Sequence, residues 1–192
     1  MLDTASLSKR DRDRILSTAS HEAAHAVIAA VHGATVDRAE VVRSGGKNTT
    51  GTAHLGYTRY LPFDAMTRLD VPLIAAAGAA GEAIFRHGKP TLTEVWHLLN
   101  SGHKHDAAQV EQLSLAKGIN PIEPVGLVMP ITNRCWPSIA RLANGLFRGG
   151  EIRHNDVLQA LNIPSAEDAD KYLRAIRAGA VPGELRVGRL HF

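Results

Sequence analysis

Apolar residues recur three or four positions apart through the early part of the chain. The recurring positions are Ile15, Ala19, Ala23, Ala26 and Val27. This spacing places them on one face of a helix and predicts one long amphipathic helix over residues 8–31. Ser8 is a typical helix N-cap, and Gly33 is typical of the turn that ends a helix. Both ends of the helix are therefore marked in the sequence.

The pattern after this helix changes to short runs rich in Val, Thr and Tyr. Residues 35–43 and 49–60 predict two strands. The segment at 44–48, with the sequence SGGKN, is rich in turn-forming residues. Together they predict a β-hairpin.

A second long helix is predicted over residues 64–86. Pro72 is expected to interrupt or restart it, and Gly88 is expected to end it. Residues 73–81 are small and apolar nearly all round. Such a segment predicts close packing against another helix in the interior.

The remainder of the chain is also helical in pattern. Further helices are predicted over residues 91–99, 101–117, 136–147, 155–161 and 166–178. Residues 118–130 contain three prolines and predict a loop. The fold class is therefore predicted to be mainly α, with a small β-hairpin after the first helix.

Composition narrows the class of protein. The chain has 192 residues, 44% of them hydrophobic and 21% charged, which suits a well-cored globular domain. A single cysteine excludes an internal disulfide framework and fits a reducing cytosol. The polar N-terminus resembles no signal peptide, and no apolar run is long enough to span a bilayer. We therefore expect a cytoplasmic protein with no membrane anchor in this chain.

The formal net charge of +3 is small, and the basic residues are dispersed. Nucleic-acid binding usually requires basic residues clustered on one face or interleaved with aromatic ones. The charge pattern therefore does not favour a nucleic-acid partner.

The chemistry in the sequence is concentrated in the motif His21-Glu22-Ala23-Ala24-His25, near the middle of the first predicted helix. Residues four apart lie on one face of a helix, so both imidazoles can reach one metal ion. Two neutral imidazole nitrogens suit Zn²⁺, and Glu22 between them would activate a metal-bound water. The motif predicts metal-assisted hydrolysis, most often of peptide bonds.

A catalytic zinc ion needs a third protein ligand and an open position for water. Metzincins carry a Gly and a His further along the motif helix, but Ile28 and Val31 occupy those positions here. His32 lies two turns after His25, too far along the helix to close the site. Glu40 falls in a predicted strand and not in a following helix, which argues against a thermolysin-like arrangement.

The chain resembles the peptidase domain of the membrane-anchored AAA+ zinc proteases of FtsH type. The family motif HEAGHA is similar to HEAAHA at 21–26, and its Gly/Ala-rich GGRAAEELVFG is similar to AGAAGEAIF at 77–85. The family segment TGASNDL is similar to SGHKHDA at 101–107, which implies that Asp106 is the third zinc ligand. His103, His105 and Glu82 remain alternatives, because the segment between Phe85 and Asp106 is longer than in the family.

The resemblance covers roughly residues 15–161. It implies a zincin-like helical peptidase domain over 1–161, followed by a C-terminal helical extension and tail over 162–192. Homo-oligomers are usual for the family and remain possible here. The family's ATPase motor is absent from this chain, so the substrates are expected to be peptides or unfolded protein segments, with or without a separate unfoldase.

The sequence therefore predicts a zinc-dependent metallopeptidase with His21, His25 and Asp106 as ligands and Glu22 as general base. His54 is a weak candidate for assisting the oxyanion, and the strand edge at 51–57 is a candidate for pairing with an extended substrate. The alternative is a non-catalytic metal-binding module with a regulatory or interaction role. Retention of Glu22 argues against that alternative, because a purely structural zinc site needs no general base.

Overall fold

The computed structural model describes residues 7–42, 56–61 and 70–185. Within these ranges the chain forms eight α-helices and three short strands. The helices are α1 Lys9–Val31, α2 Asp70–His87, α3 Leu92–Gly102, α4 Lys104–Leu115, α5 Ile122–Arg134, α6 Trp136–Phe147, α7 His154–Ala160 and α8 Ala169–Arg177. The strands are β1 Thr35–Val41, β2 Gly56–Leu61 and β3 Glu151–Ile152. The predicted mainly α fold class is confirmed.

The central helix α1 has the ends that the sequence predicts. The backbone N–H of Asp11 donates to Ser8 Oγ at 3.1 Å, and Gly33 takes a left-handed φ of 90° beyond the helix end. The helix is less amphipathic than predicted, because every residue from Ala19 to Val31 is buried. The elements that pack against α1 include α2, α6, α7, α8 and the strands β1 and β2.

Helix α2 lies closely against α1, as its small apolar sequence predicts. Pro72 falls in its first turn, where a missing N–H costs no intrahelical bond, and Gly88 follows its end with a φ of 74°. A Cβ atom on Gly81 would lie 2.5 Å from the Ala24 Cβ and 2.9 Å from the Ser20 carbonyl oxygen. Only glycine permits this approach of the two helices.

The predicted hairpin is present as the antiparallel pair β1–β2, with Val36 opposite Tyr60 and Glu40 opposite Tyr57. The sequence did not predict β3, a two-residue strand on the other side of β1, which gives the order β2-β1-β3. In the described part of the chain, β2 is therefore an edge strand. The predicted turn at 44–48, the strand residues 49–55 with His54, and the helix residues 64–69 lie outside the described residues.

The predicted loop at 118–130 is wrong, because most of it belongs to helix α5. Pro124 lies in the first helical turn, where proline is tolerated, and Pro130 removes only one backbone hydrogen bond from the interior. Val125 and Val128 are fully buried on the helix face that packs against α2. Burial of this face outweighs the lost hydrogen bond.

The last predicted helices correspond to α6, α7 and α8. Leu173 and Ile176 of α8 belong to the same apolar core as α1 and α2. In the described ranges, no helix has both the length and the apolar character needed to cross a membrane.

Candidate metal centre

Three donor atoms converge at the N-terminal end of α4, beside the middle of α1. The Nε2 atoms of His21 and His25 lie 2.9 Å apart. Asp106, in the first turn of α4, places Oδ2 at 3.1 Å from His21 Nε2 and 3.4 Å from His25 Nε2. Ligand atoms around a tetrahedral zinc ion, each about 2.0–2.1 Å from the metal, are roughly 3.3 Å apart. The three atoms therefore have the mutual spacing of one face of such a site.

The ring of His25 is oriented by a main-chain carbonyl. Its Nδ1 lies 2.7 Å from the Ile74 oxygen, so Nδ1–H donates and the lone pair of neutral imidazole remains on Nε2. This is the usual outer contact of a metal-ligating histidine, since it fixes both the tautomer and the ring plane.

Gly78 of α2 makes room for both imidazoles. A Cβ atom there would lie 2.4 Å from His25 Nε2 and 2.5 Å from His21 Nε2, distances that no side chain tolerates. The sequence predicts that α2 packs closely in the interior. It does not identify this glycine as the contact surface for the two rings.

Glu82 lies behind His21 and not among the three converging atoms. Its Oε2 is 3.6 Å from His21 Nδ1, which is longer than a hydrogen bond, and 2.8 Å from His103 Nε2. Its Oε1 accepts a hydrogen bond of 2.8 Å from Ser17 Oγ and pairs with Arg86. Burial opposes ionisation of Glu82, but the imidazoles of His103 and His21 hold its pKa well below the usual value. Glu82 therefore contacts the ring edge of His21 that faces away from Asp106.

The two histidines that flank Asp106 differ in position. His103 stacks on His21 with ring centroids 4.0 Å apart, and a ligand atom each from His103, His21 and Asp106 lie within 4.8 Å of one another. His105 is exposed and contacts Gln109 through Nε2 at 3.1 Å. Both histidines line the cleft, but only His103 forms a compact group of ligand atoms with His21 and Asp106.

His32 and Glu40 contact other parts of the molecule. His32 is buried and holds Asp70 through Nδ1 at 2.7 Å. Glu40 lies on β1, as predicted, and pairs with Arg38. Neither residue lines the cavity around His21 and His25.

Glu22 lies in the same cavity but is held by the edge strand. The Thr58 hydroxyl donates to Glu22 Oε2 at 2.8 Å. A Cβ atom on Gly56 would lie 2.7 Å from Glu22 Cγ, so glycine lets β2 lie directly against this side chain. Glu22 thus keeps a carboxylate at the cavity surface without joining the three converging atoms.

The charges at the centre hold a proton in the metal-free protein. Burial alone would lower the pKa of His21, but the carboxylates of Asp106 and Glu82 raise it to about 10. Burial likewise opposes ionisation of Asp106, yet the two histidines hold its pKa well below the usual value. The centre thus attracts positive charge to the ring nitrogens.

The centre opens into a cleft of about 730 Å³. Its lining includes Thr58 and Tyr60 of β2 and the segment from Ser101 to Asp106. Sequence reasoning missed Thr58 and Tyr60. Strand alternation could have placed them on one face, but not against Glu22.

No protein-family model matches the chain, and no curated protein matches it at a significant level.

Proposed function

We propose that the chain is a zinc-dependent metallopeptidase. His21, His25 and Asp106 are the metal ligands, and Glu22 is the general base. The observation that carries the proposal is the convergence of three donor atoms at 2.9–3.4 Å beside a carboxylate that is bonded to Thr58 and not to the ligands.

The donor set favours zinc over harder cations. Two imidazole nitrogens and one carboxylate oxygen form one of the common ligand sets of catalytic zinc, whereas Mg²⁺ and Ca²⁺ prefer oxygen ligands throughout. The Ile74 carbonyl faces Nδ1 of His25, so the neutral ring presents the lone pair of Nε2 to the metal.

The mechanism assigns the proton transfers to Glu22. A bound zinc ion would lower the pKa of its water and polarise the carbonyl of the scissile bond. Glu22 takes the proton of the attacking water and returns it to the leaving amine, first as a base and then as an acid. Thr58 holds one carboxylate oxygen during this exchange, which leaves Oε1 for the proton.

The edge strand β2 suits an extended peptide as substrate. Residues of β2 line the cleft, and in the described part of the chain this strand is paired on one side only. An added strand would pair with main-chain groups and depend little on side chains. The substrates are therefore peptides or unfolded protein segments of varied sequence. A cytoplasmic location is part of the same proposal. Peptides and segments that are already unfolded need no unfoldase, whereas folded substrates would need a separate one.

One observation favours the alternative function, a non-catalytic metal-binding module. His103 is close enough to His21 and Asp106 to be considered as a fourth ligand. Four protein ligands would close the position that a catalytic water needs. The alternative predicts that His103→Ala weakens metal binding, whereas the peptidase proposal predicts unchanged metal content.

Metal content and cleavage of a fluorogenic peptide library test the proposal in wild type and Glu22→Gln. We expect one zinc ion per chain in both proteins and cleavage only by the wild type. Glu111→Gln, an exposed carboxylate change on α4, serves as control and should cleave normally. Equal cleavage by Glu22→Gln, or no metal in the wild type, would refute the proposal.

A further inference from the structure

Strand β2 presents alternate residues to the candidate centre. Gly56, Thr58 and Tyr60 are half-buried, and the residues between them are exposed. Gly56 and Thr58 both contact Glu22 directly. Because side chains two apart on a strand share a face, Tyr60 projects toward the same side as Thr58, about 6.6 Å further along the strand.

Tyr60 reaches the part of the cleft that holds Asp106. Its side chain lines the cleft together with His21 and His25. Burial raises the pKa of Tyr60, and the negative charge of Asp106 raises it further. The phenol is therefore a neutral hydrogen-bond donor at physiological pH.

The hydroxyl of Tyr60 is available to a ligand. Among the residues that the structure describes, it has no hydrogen-bond partner. Tyr57 also borders the cleft, but it alternates with Tyr60 along the strand, and its hydroxyl is bonded to the carboxylate of Glu40. A half-buried phenol that lines a cleft, with no hydrogen-bond partner in the described ranges, is suited to bonding a substrate atom.

We infer that Tyr60 is a catalytic residue that donates a hydrogen bond to the carbonyl oxygen of the scissile peptide bond. The inference rests on the proposed peptidase function. Negative charge develops on this oxygen when water adds to the carbonyl carbon, and a fixed donor in a partly water-excluded cleft stabilises it. Tyr60 keeps its proton throughout, so the proton balance assigned to Glu22 is unchanged.

The test compares Tyr60→Phe with Tyr57→Phe, which removes a hydroxyl from the same strand on the other face. We expect Tyr60→Phe to lower kcat on the order of 10²-fold with little change in KM, as for loss of an oxyanion donor. A phosphinic peptide, whose tetrahedral phosphorus imitates the transition state, should bind Tyr60→Phe at least tenfold more weakly by calorimetry. Tyr57→Phe should match the wild type in both measurements, and all three proteins should hold equal zinc.

The outcomes separate the inference from the function on which it rests. If the wild type cleaves peptides and Tyr60→Phe keeps normal kcat and phosphinic-peptide affinity, the inference is wrong and the peptidase function stands. Loss of zinc from Tyr60→Phe would also overturn it, because the residue would then act on the metal site and not on the substrate. If the wild type cleaves no peptide and binds no metal, the proposed function fails, and the role of Tyr60 fails with it.

Discussion

The Thr58 hydroxyl donates a hydrogen bond of 2.8 Å to Oε2 of Glu22, which joins the edge strand β2 to the middle of helix α1. This bond orients the carboxylate that we propose as general base. Thr58→Val keeps the side-chain shape but removes the donor, so the carboxylate loses its fixed orientation. Because a hydrogen bond to a charged group contributes about 1.5–3 kcal/mol, we expect kcat to fall tenfold or more, measured on a fluorogenic peptide.

Thr58→Ser is the matched control, since it keeps the hydroxyl and removes only a methyl group. It should retain most of the activity, and zinc content should be the same in both variants. Full activity in Thr58→Val would show that Glu22 needs no such support.

Asp106→Ala should remove one of three metal ligands and lower zinc affinity by at least 100-fold, measured by competition with a chromophoric chelator. The change also leaves His21 without the carboxylate that contacts its Nε2 at 3.1 Å. His105→Ala is the neighbouring control, because His105 lines the same cleft but is exposed and contacts Gln109 through Nε2. Equal zinc affinity in the two variants would exclude Asp106 as a ligand.

Glu82→Ala distinguishes a ligand from a supporting residue. Glu82 faces His21 Nδ1 at 3.6 Å, so its loss should weaken zinc binding about 10–100-fold through the orientation of the ring. A loss larger than that of Asp106→Ala would instead make Glu82 the third ligand.

The local sequence predicts those features of the fold that depend on residues within one helix or strand. Ser8 and Gly33 mark the ends of α1, and the spacing of His21 and His25 brings their Nε2 atoms together on one helix face. The resemblance to a known family pointed to Asp106, which lies 81 to 85 residues further along the chain than these histidines. Spacing alone could not have selected it over His105.

The other positions at the site depend on contacts between helices and strands, which no local sequence pattern encodes. The packing of α2 and α4 around α1 determines where Glu82 and His103 lie. The register of β2 against β1 determines the position of Thr58. The prediction of a loop at 118–130 was wrong for a similar reason, since a contact between elements decided the structure there. Burial of one face against α2 outweighed the local preference of proline.

Gly78→Ala should remove metal binding, although Gly78 is not a ligand, because the added methyl group would displace the two imidazoles. The new Cβ would lie 2.4–2.5 Å from the two imidazoles, so one or both rings must leave their positions. Gly126→Ala in α5 is the control, since a Cβ there meets nothing within 4 Å and should stabilise the helix by about 0.5–1 kcal/mol. Zinc affinity and the free energy of unfolding of the metal-free protein separate loss of the site from loss of the fold. Normal zinc affinity in Gly78→Ala would show that the rings do not need this glycine.

Zinc binding and metal-free stability should depend on pH in opposite directions. Burial lowers the pKa of His21, but Asp106 and Glu82 raise it to about 10 in the metal-free protein, above the ordinary value of 6.5. Between pH 6.5 and about 10, the folded metal-free protein therefore binds more protons than the unfolded chain. The stabilisation that protonated His21 gives to the folded state is complete below pH 6.5 and is lost as pH rises toward 10.

Zinc requires the unprotonated Nε2, so binding at pH 7 should release a proton, and affinity should rise about tenfold per pH unit. Calorimetry in buffers of different ionisation enthalpy counts the proton, and the zinc-induced shift in Tm should grow from pH 6.5 to 8.5. A zinc affinity that is flat across this range would mean that His21 is already neutral in the metal-free protein, and its contacts with Asp106 and Glu82 would then not be ion pairs.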